Sequence, residues 1–492
     1  MIFFSTRNKS KANKDINCIL KGLADDGGLF VPADFPELKL ENLVDKNYID
    51  MASYITSLFF ESFTYDELKE IYSLSYKDKF QVENMIDIKS FKGYGFIELF
   101  HGPTSAFKDM ALQALPNFVD KSKEKFSIDK ETVILTATSG DTGSAAIRGF
   151  ESIENLKIIV LYPTSGVSEI QKKQMTTSSS PNTYVLGIDG NFDDAQKMVK
   201  AILNDTKLKE VLSNRGIEFS SANSINIGRL VPQIVYYVYS YLELVRKNII
   251  KLGEEINVSV PTGNFGNILA AYYSKRMGLP IKKLVCASNK NNVLSDFIST
   301  GIYNRERDFY KTNSPSMDIL VSSNLERFLF HTSDNDDNYV SGLMKDLSNK
   351  GFFEVNKNHF NKLENLLSGY WVDEKSTEKL IGDLYKEEGY LMDPHTAIGY
   401  YGYLMEKEQA KSSPYTLIAA TASPYKFPES ICSSLNIDCP DSAEKMLKAI
   451  ENNSNTNIPE NLLIALNKEE IHKGTNKTSD IYDKIKSILG VE

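Results

Sequence analysis

An α/β fold built on mostly parallel sheet is what this sequence predicts, on three observations. From about residue 93 onward, short runs rich in Val, Ile and Leu alternate with longer helical patterns. Glycines and short polar residues collect just after several of those runs, at the edge where open α/β sheets hold ligands. The chain is also long, 492 residues, with an ordinary globular composition of 41% apolar and 25% charged residues. That length is ample for a large core and for two to four domains at roughly 150 residues each. Strands alternating with helices place a parallel sheet between two helical layers.

Taken in order, residues 1–92 read as a mainly helical N-terminal domain, with apolar positions at three- and four-residue spacing in 48–60 and 66–76. Strands are expected at 132–138, 157–163, 183–189, 256–262, 282–288 and 415–421, with helices at 141–151, 191–204 and 265–277 between them. The apolar stretch 230–245 reads as a buried helix, because Gln233, Ser240 and Glu243 interrupt it and it falls short of the roughly 18 apolar residues a membrane span needs. A smaller α/β unit is expected over 93–230 and a larger one over 231–492. Two polar stretches, 301–340 and 451–458, read as surface loops or insertions.

Charge and cysteine usage exclude several functions. The formal charge is −9, which offers no basic footprint for nucleic acid. Cys18, Cys286, Cys432 and Cys439 make neither a disulfide framework nor a metal-ligand pattern, and five scattered histidines add none. No metal is expected. The start of the chain lacks the apolar core of a signal peptide, so a cytoplasmic protein is expected.

Three segments carry chemistry. Ser139, Gly140, Asp141, Thr142 and Gly143 follow the strand at 132–138 and open a helix, whose N-terminal N–H groups favour an anion; Asp141 and Thr142 serve equally well as plain helix caps. Gly263, Asn264, Phe265, Gly266 and Asn267 form a second such turn after 256–262, suited to a phosphate. It is neither a Walker loop nor a dinucleotide fingerprint, since no Gly-Lys-Ser/Thr follows and the glycine spacing differs. Lys108, set between Phe107 and Met110–Leu112, reads either as a snorkelling surface lysine or as a buried amine able to bond to an aldehyde cofactor.

Seven segments in order resemble one family: GLADDGGLFVP (22–32), HGPTSAFKD (101–109), ILTATSGDTGSAA (134–146), SSANSINIGRL (220–230), VPTGNFGNILA (260–270), DPHTAIGY (393–400) and ATASPYKF (420–427). They resemble the threonine synthases of the longer bacterial and fungal type, within the fold-type II, tryptophan synthase β-like enzymes that use pyridoxal 5'-phosphate. The resemblance implies two parallel or mixed sheets flanked by helices. It implies that Lys108 bonds to the cofactor, that Gly263, Asn264, Phe265 and Asn267 cradle its phosphate, and that Thr421 holds its pyridine nitrogen. It further implies that Ser139, Gly140, Asp141 and Thr142 bind the substrate's α-carboxylate. Asn223, Arg229 and Lys426 are the candidates for the substrate's own phosphate, each equally suited to a structural ion pair.

The implied reaction is a carbon–oxygen lyase reaction, O-phospho-L-homoserine and water giving L-threonine and phosphate, by a monomer or homodimer with no nucleic-acid or membrane partner. A related phospholyase or dehydratase giving a 2-oxo acid, and a non-catalytic relative that only binds the cofactor, share most of these motifs. Two positions depart from the family pattern. Asn267 stands where relatives often carry Asp, and Ser423 stands where a His is common. His395 is read as a structural histidine ahead of a catalytic one.

Overall fold

The computed structural model describes residues 1–151, 153–165, 167–410 and 414–491 of the chain. Its larger sheet has six strands, in the order Leu367–Trp371, Ile281–Ser288, Ile256–Pro261, Thr416–Ala420, Tyr94–Glu98 and Asp87–Phe91. All neighbours are parallel except the last pair, an antiparallel hairpin that turns at Gly93 with φ 87°. The smaller sheet has five parallel strands, Thr475–Asn476, Thr183–Ile188, Leu156–Pro163, Glu131–Ala137 and Ile217–Ser220. The central strands are buried on both faces, which is why they read as continuous apolar runs. Helix Ile227–Arg246 is buried along nearly its whole length and packs on helices Tyr48–Ser57 and Gly266–Arg276, as the sequence at 230–245 predicts.

Sheet membership divides the chain differently from boundaries at 92 and 230. The hairpin Asp87–Phe91/Tyr94–Glu98 joins the larger sheet through Thr416–Ala420. The end of the chain returns to the smaller one, where Thr475–Asn476 pairs with Thr183–Ile188 and Ile481 and Ile485 pack among Val133, Leu135 and Leu161. A two-residue strand leaves no periodicity to read.

The N-terminal unit carries a three-stranded antiparallel sheet, Asn8–Lys14, Ile2–Ser5 and Phe30–Pro32, beside its helices. Asn8–Lys14 is an edge strand with no large apolar residue, so the alternation that signals a strand is missing. The unit is pinned by Glu326, which accepts hydrogen bonds from Thr6 Oγ1 at 2.6 Å and from Arg7 Nε at 2.8 Å.

The stretch 301–340 is at the surface only in part, exposed over 308–311 and elsewhere largely folded into the interior. It contains a strand, Ile302–Asn304, the short 3-10 turn Pro315–Met317, and the buried helix Leu325–Thr332. Its buried Asp318 is satisfied within the protein: the carboxylate accepts from Asn289 Nδ2 (2.8 Å), Asn291 Nδ2 (2.9 Å) and Thr312 Oγ1 (2.8 Å). A polar segment can be interior when each group finds its partner inside. Among the described residues no helix is long and apolar enough to cross a membrane, and no group of His, Cys, Asp or Glu could hold a metal ion.

Candidate active site

The C-terminal ends of strands from both sheets open onto one cavity of about 670 Å³. Lys108 and Thr421 reach it from the larger sheet, and their neighbours tie them together: Phe107 N donates to Thr421 O at 2.8 Å, and Ala106 bridges to Ala422. Lys108 sits at the head of the short helix Asp109–Leu112 and is 9% exposed. It is therefore not a snorkelling surface lysine.

Ser139, Asp141 and Thr142 form the wall offered by the smaller sheet. Gly140 is needed there twice over. Its φ of 134° lies in the region that favours glycine, and a Cβ would fall 2.4 Å from the Gln171 amide. The helix Asp141–Phe150 is capped by neither Asp141 nor Thr142. Thr138 does that work, its Oγ1 accepting from the amides of Gly140 (2.9 Å) and Gly143 (2.8 Å).

The opposite wall is the turn of Gly263, Asn264, Phe265 and Asn267, between strand Ile256–Pro261 and helix Gly266–Arg276. Phe265 holds φ 62° while its ring packs on Phe328. Strain of this kind collects where geometry is fixed for function. The turn is braced from 322–324: Ser322 Oγ donates to Gly263 O at 2.7 Å and Asn324 Nδ2 donates to Asn264 O at 2.9 Å. Gly263 has a reason beyond a phosphate, since a Cβ there would lie 2.9 Å from the Ser316 carbonyl oxygen.

Among the described residues, two buried donors at this cavity lack protein partners. Asn267, 6% exposed, accepts at Oδ1 from the hydroxyls of Tyr236 (2.9 Å) and Tyr237, and its Nδ2 is unpaired. Arg229, 4% exposed, donates from one guanidinium nitrogen to Ala222 O at 2.8 Å and leaves Nε unpaired. No carboxylate lies within ion-pair distance of Arg229 among the described residues. Burial pulls its pKa down to about 10, so it remains a cation at neutral pH. An orphaned amide and an uncommitted guanidinium suit anions. Asn223 also lines the cavity, its Oδ1 held by Thr136 Oγ1 at 2.9 Å.

Lys426 is placed elsewhere. It lies outside the cavity lining, has no exposed surface, and is spent on Asp141 Oδ1 at 2.7 Å and Thr104 O at 2.8 Å. As a ligand for a substrate phosphate it is corrected to the ion-pair partner of Asp141. Asp141 also accepts from Gln171 Nε2 at 2.9 Å. Burial opposes its ionisation, but Lys426 and Lys108 outweigh burial and hold the carboxyl well below the usual range. Its side chain is committed, which leaves only its backbone to favour a second carboxylate. Burial pushes the Lys108 amine down, against the pull of Asp141 and with the repulsion of Lys426 and Arg229.

His395 lines the cavity with Nδ1 on Asp393 Oδ1 at 2.9 Å and Nε2 accepting from Ser316 N at 3.3 Å. Ser316 itself was invisible to sequence reasoning. It lay in a stretch read as polar, with no glycine turn to mark it.

Comparison with known proteins agrees with this geometry. The family model described as threonine synthase N terminus matches residues 2–76, and that of pyridoxal-phosphate dependent enzymes matches 97–421. Threonine synthase-like 1 of Homo sapiens is 38% identical over 457 residues, covering 88% of this chain and 61% of that protein. The chain thus spans about three fifths of the first curated relatives it matches. Threonine synthase of Schizosaccharomyces pombe is 37% identical over 462 residues, covering 87% of this chain and 88% of that one. The crystal structure of PLP-bound threonine synthase from Brucella melitensis superposes with a TM-score of 0.88 at 32% identity, covering 99% of this chain and 98% of the other. The cofactor fits the residues present, with a buried amine for its aldehyde and an unpaired Asn267 Nδ2 at the glycine turn for its phosphate. The chain belongs to the threonine synthase family of pyridoxal-phosphate-dependent enzymes.

Proposed function

We propose that the chain converts O-phospho-L-homoserine and water to L-threonine and inorganic phosphate. The observation that carries this reading is a buried lysine in one cavity with two separate anion-seeking groups, the unpaired Asn267 amide and the uncommitted Arg229. A phosphorylated cofactor together with a phosphorylated amino acid calls for that arrangement. The name of the Schizosaccharomyces pombe relative supports it.

In this reading Lys108 holds the cofactor, Gly263, Asn264, Phe265 and Asn267 receive its phosphate, and Thr421 holds its ring nitrogen. When bound, pyridoxal phosphate supplies an electron sink for negative charge developing on the amino acid. Lys108 takes the proton from the substrate's Cα, its lowered pKa leaving more of the amine in the basic form. Ser139, the backbone of Gly140 and Asp141, and Thr142 orient the α-carboxylate at a helix N-terminus. Arg229, helped by Asn223, fixes the substrate phosphate and steadies it as it leaves as an anion. The cavity walls limit water around the amine. The protein is proposed to act in the cytoplasm, as a monomer or homodimer, and its four cysteines are unpaired, as a reducing compartment requires.

The test is product analysis. Holoenzyme given O-phospho-L-homoserine should yield threonine and phosphate in equal amounts. A 2-oxo acid with ammonia would overturn the reading in favour of a phospholyase, and no turnover by cofactor-loaded protein in favour of a non-catalytic relative.

A further inference from the structure

Ser316 ends a chain of contacts that the reaction outlined above does not use. Its Oγ lies 3.4 Å from Lys108 Nζ and 3.1 Å from Asp141 Oδ2. The direct approach of Lys108 to Asp141 is 3.5 Å, at the limit of a hydrogen bond. The three atoms form a closed triangle, in which the hydroxyl sits beside the amine–carboxylate pair, accepting from Nζ and donating to Oδ2. Asp141 has Oδ1 occupied by Lys426 and Gln171, so Oδ2 is the oxygen left for this purpose.

The loop that carries Ser316 is fixed on three sides. Its backbone N–H donates to His395 Nε2, whose other nitrogen is held by Asp393. Two residues on, Asp318 accepts three side-chain hydrogen bonds, from Asn289, Asn291 and Thr312. On the third side the Ser316 carbonyl and Met317 Cα crowd the space where a Cβ of residue 263 would go, at 2.9 and 3.2 Å. Met317 is 3% exposed and Ser314 is fully buried. Such anchoring is more than a connecting loop requires, and it delivers one hydroxyl to one amine.

We propose that Ser316 is a positioning residue, the hydroxyl that holds the Lys108 amine beside Asp141 whenever that amine is not covalently engaged. A lysine has four rotatable side-chain bonds, and a base that has drifted by about 1 Å can lose on the order of 100-fold in rate. No proton is gained or lost in this step; two hydrogen bonds are ordered, Nζ–H to Oγ and Oγ–H to Oδ2. The other charged or titratable groups around the amine are Lys426 and Arg229, with His395 and Asp318 on the elements beside Ser316. None of them bonds to both Nζ and Oδ2 as the hydroxyl does. The proposal rests on the reading of Lys108 given under the proposed function, and the experiment separates the two.

Full-length holoenzyme, wild type and Ser316→Ala, is first reduced with borohydride and the cofactor located by mass. If wild type carries no label on Lys108, the functional reading fails before Ser316 is at issue. With the label in place, Ser316→Ala should keep it and keep cofactor affinity. Its kcat should fall by roughly 10- to 100-fold with KM changed far less, and the pH profile of kcat should shift. Ser316→Thr, which retains a hydroxyl, should recover most of the rate. Should Ser316→Ala not fold, Ser316→Cys keeps the size, replaces the hydroxyl with a weak donor, and carries the same expectation. Unchanged kcat and an unchanged pH profile of kcat would overturn the proposal. So would loss of cofactor affinity with full rate in the loaded fraction, which would make the loop only a wall of the phosphate turn.

Discussion

Replacing Lys426 with Met should destabilise the protein strongly. The Nζ lies 2.7 Å from Asp141 Oδ1, Lys426 has no exposed surface, and Asp141 is 3% exposed. At that distance and an effective dielectric near 20, the gross attraction is about 6 kcal/mol. Asp141 would keep Gln171 at 2.9 Å, Ser316 at 3.1 Å and Lys108 at 3.5 Å, so the loss is partly offset. The expected net cost is about 3–5 kcal/mol, the usual result of leaving one partner of a buried pair behind. Adding Asp141→Asn to Lys426→Met removes the stranded charge and should return much of that stability. Urea unfolding of the two single variants and the double variant, all without cofactor, reads this directly. A Lys426→Met protein as stable as wild type but with a raised KM would refute the reasoning and restore Lys426 as a substrate ligand.

Arg229→Ala should raise KM for the phosphorylated substrate by at least about tenfold, the equivalent of one lost charge-assisted hydrogen bond, while cofactor affinity changes less; steady-state kinetics beside a cofactor titration checks it. Gly149→Ala would place a Cβ 1.9 Å from the Leu112 carbonyl oxygen, forcing helix Asp141–Phe150 off helix Asp109–Leu112. The cost should be about 1–3 kcal/mol or more by thermal unfolding. His331 is buried with its pKa pulled by burial to about 3 from the ordinary 6.5, so the unfolded chain takes up a proton that the native state refuses. Its contribution to stability is full above pH 6.5 and lost as pH falls toward 3. His359, pulled down to about 4, acts with the same sign. Urea midpoints at pH 7.5, 6 and 5 should fall steadily, and less steeply in His331→Gln.

The central sheets were legible because their strands are buried on both faces. The strand expected at 157–163 is Leu156–Pro163, and that expected at 256–262 is Ile256–Pro261. The turns after them were legible because glycine and short polar residues have few other reasons to cluster there. Lys108, Thr421 and the Gly263 turn do meet at one cavity. Two kinds of information were out of reach. Composition cannot distinguish a polar segment in water from one folded against the protein, so Asp318, which Asn289 and Asn291 hold, and Ser316 near it passed as a surface loop. Nor can a motif tell which cation is free. Arg229 and Lys426 look alike in sequence, yet Asp141 claims one and, among the described residues, no carboxylate claims the other. At the N-terminus the polar edge strand Asn8–Lys14 follows from the hairpin it completes rather than from its own residues.

The account depends on the amine of Lys108 being the point at which the cofactor is held. Borohydride reduction of the cofactor-loaded protein, followed by peptide mass mapping, tests that most directly. A single modified peptide spanning Lys108, absent from Lys108→Ala, is the expected result. Label spread over several surface lysines, or label that survives the substitution, would contradict it.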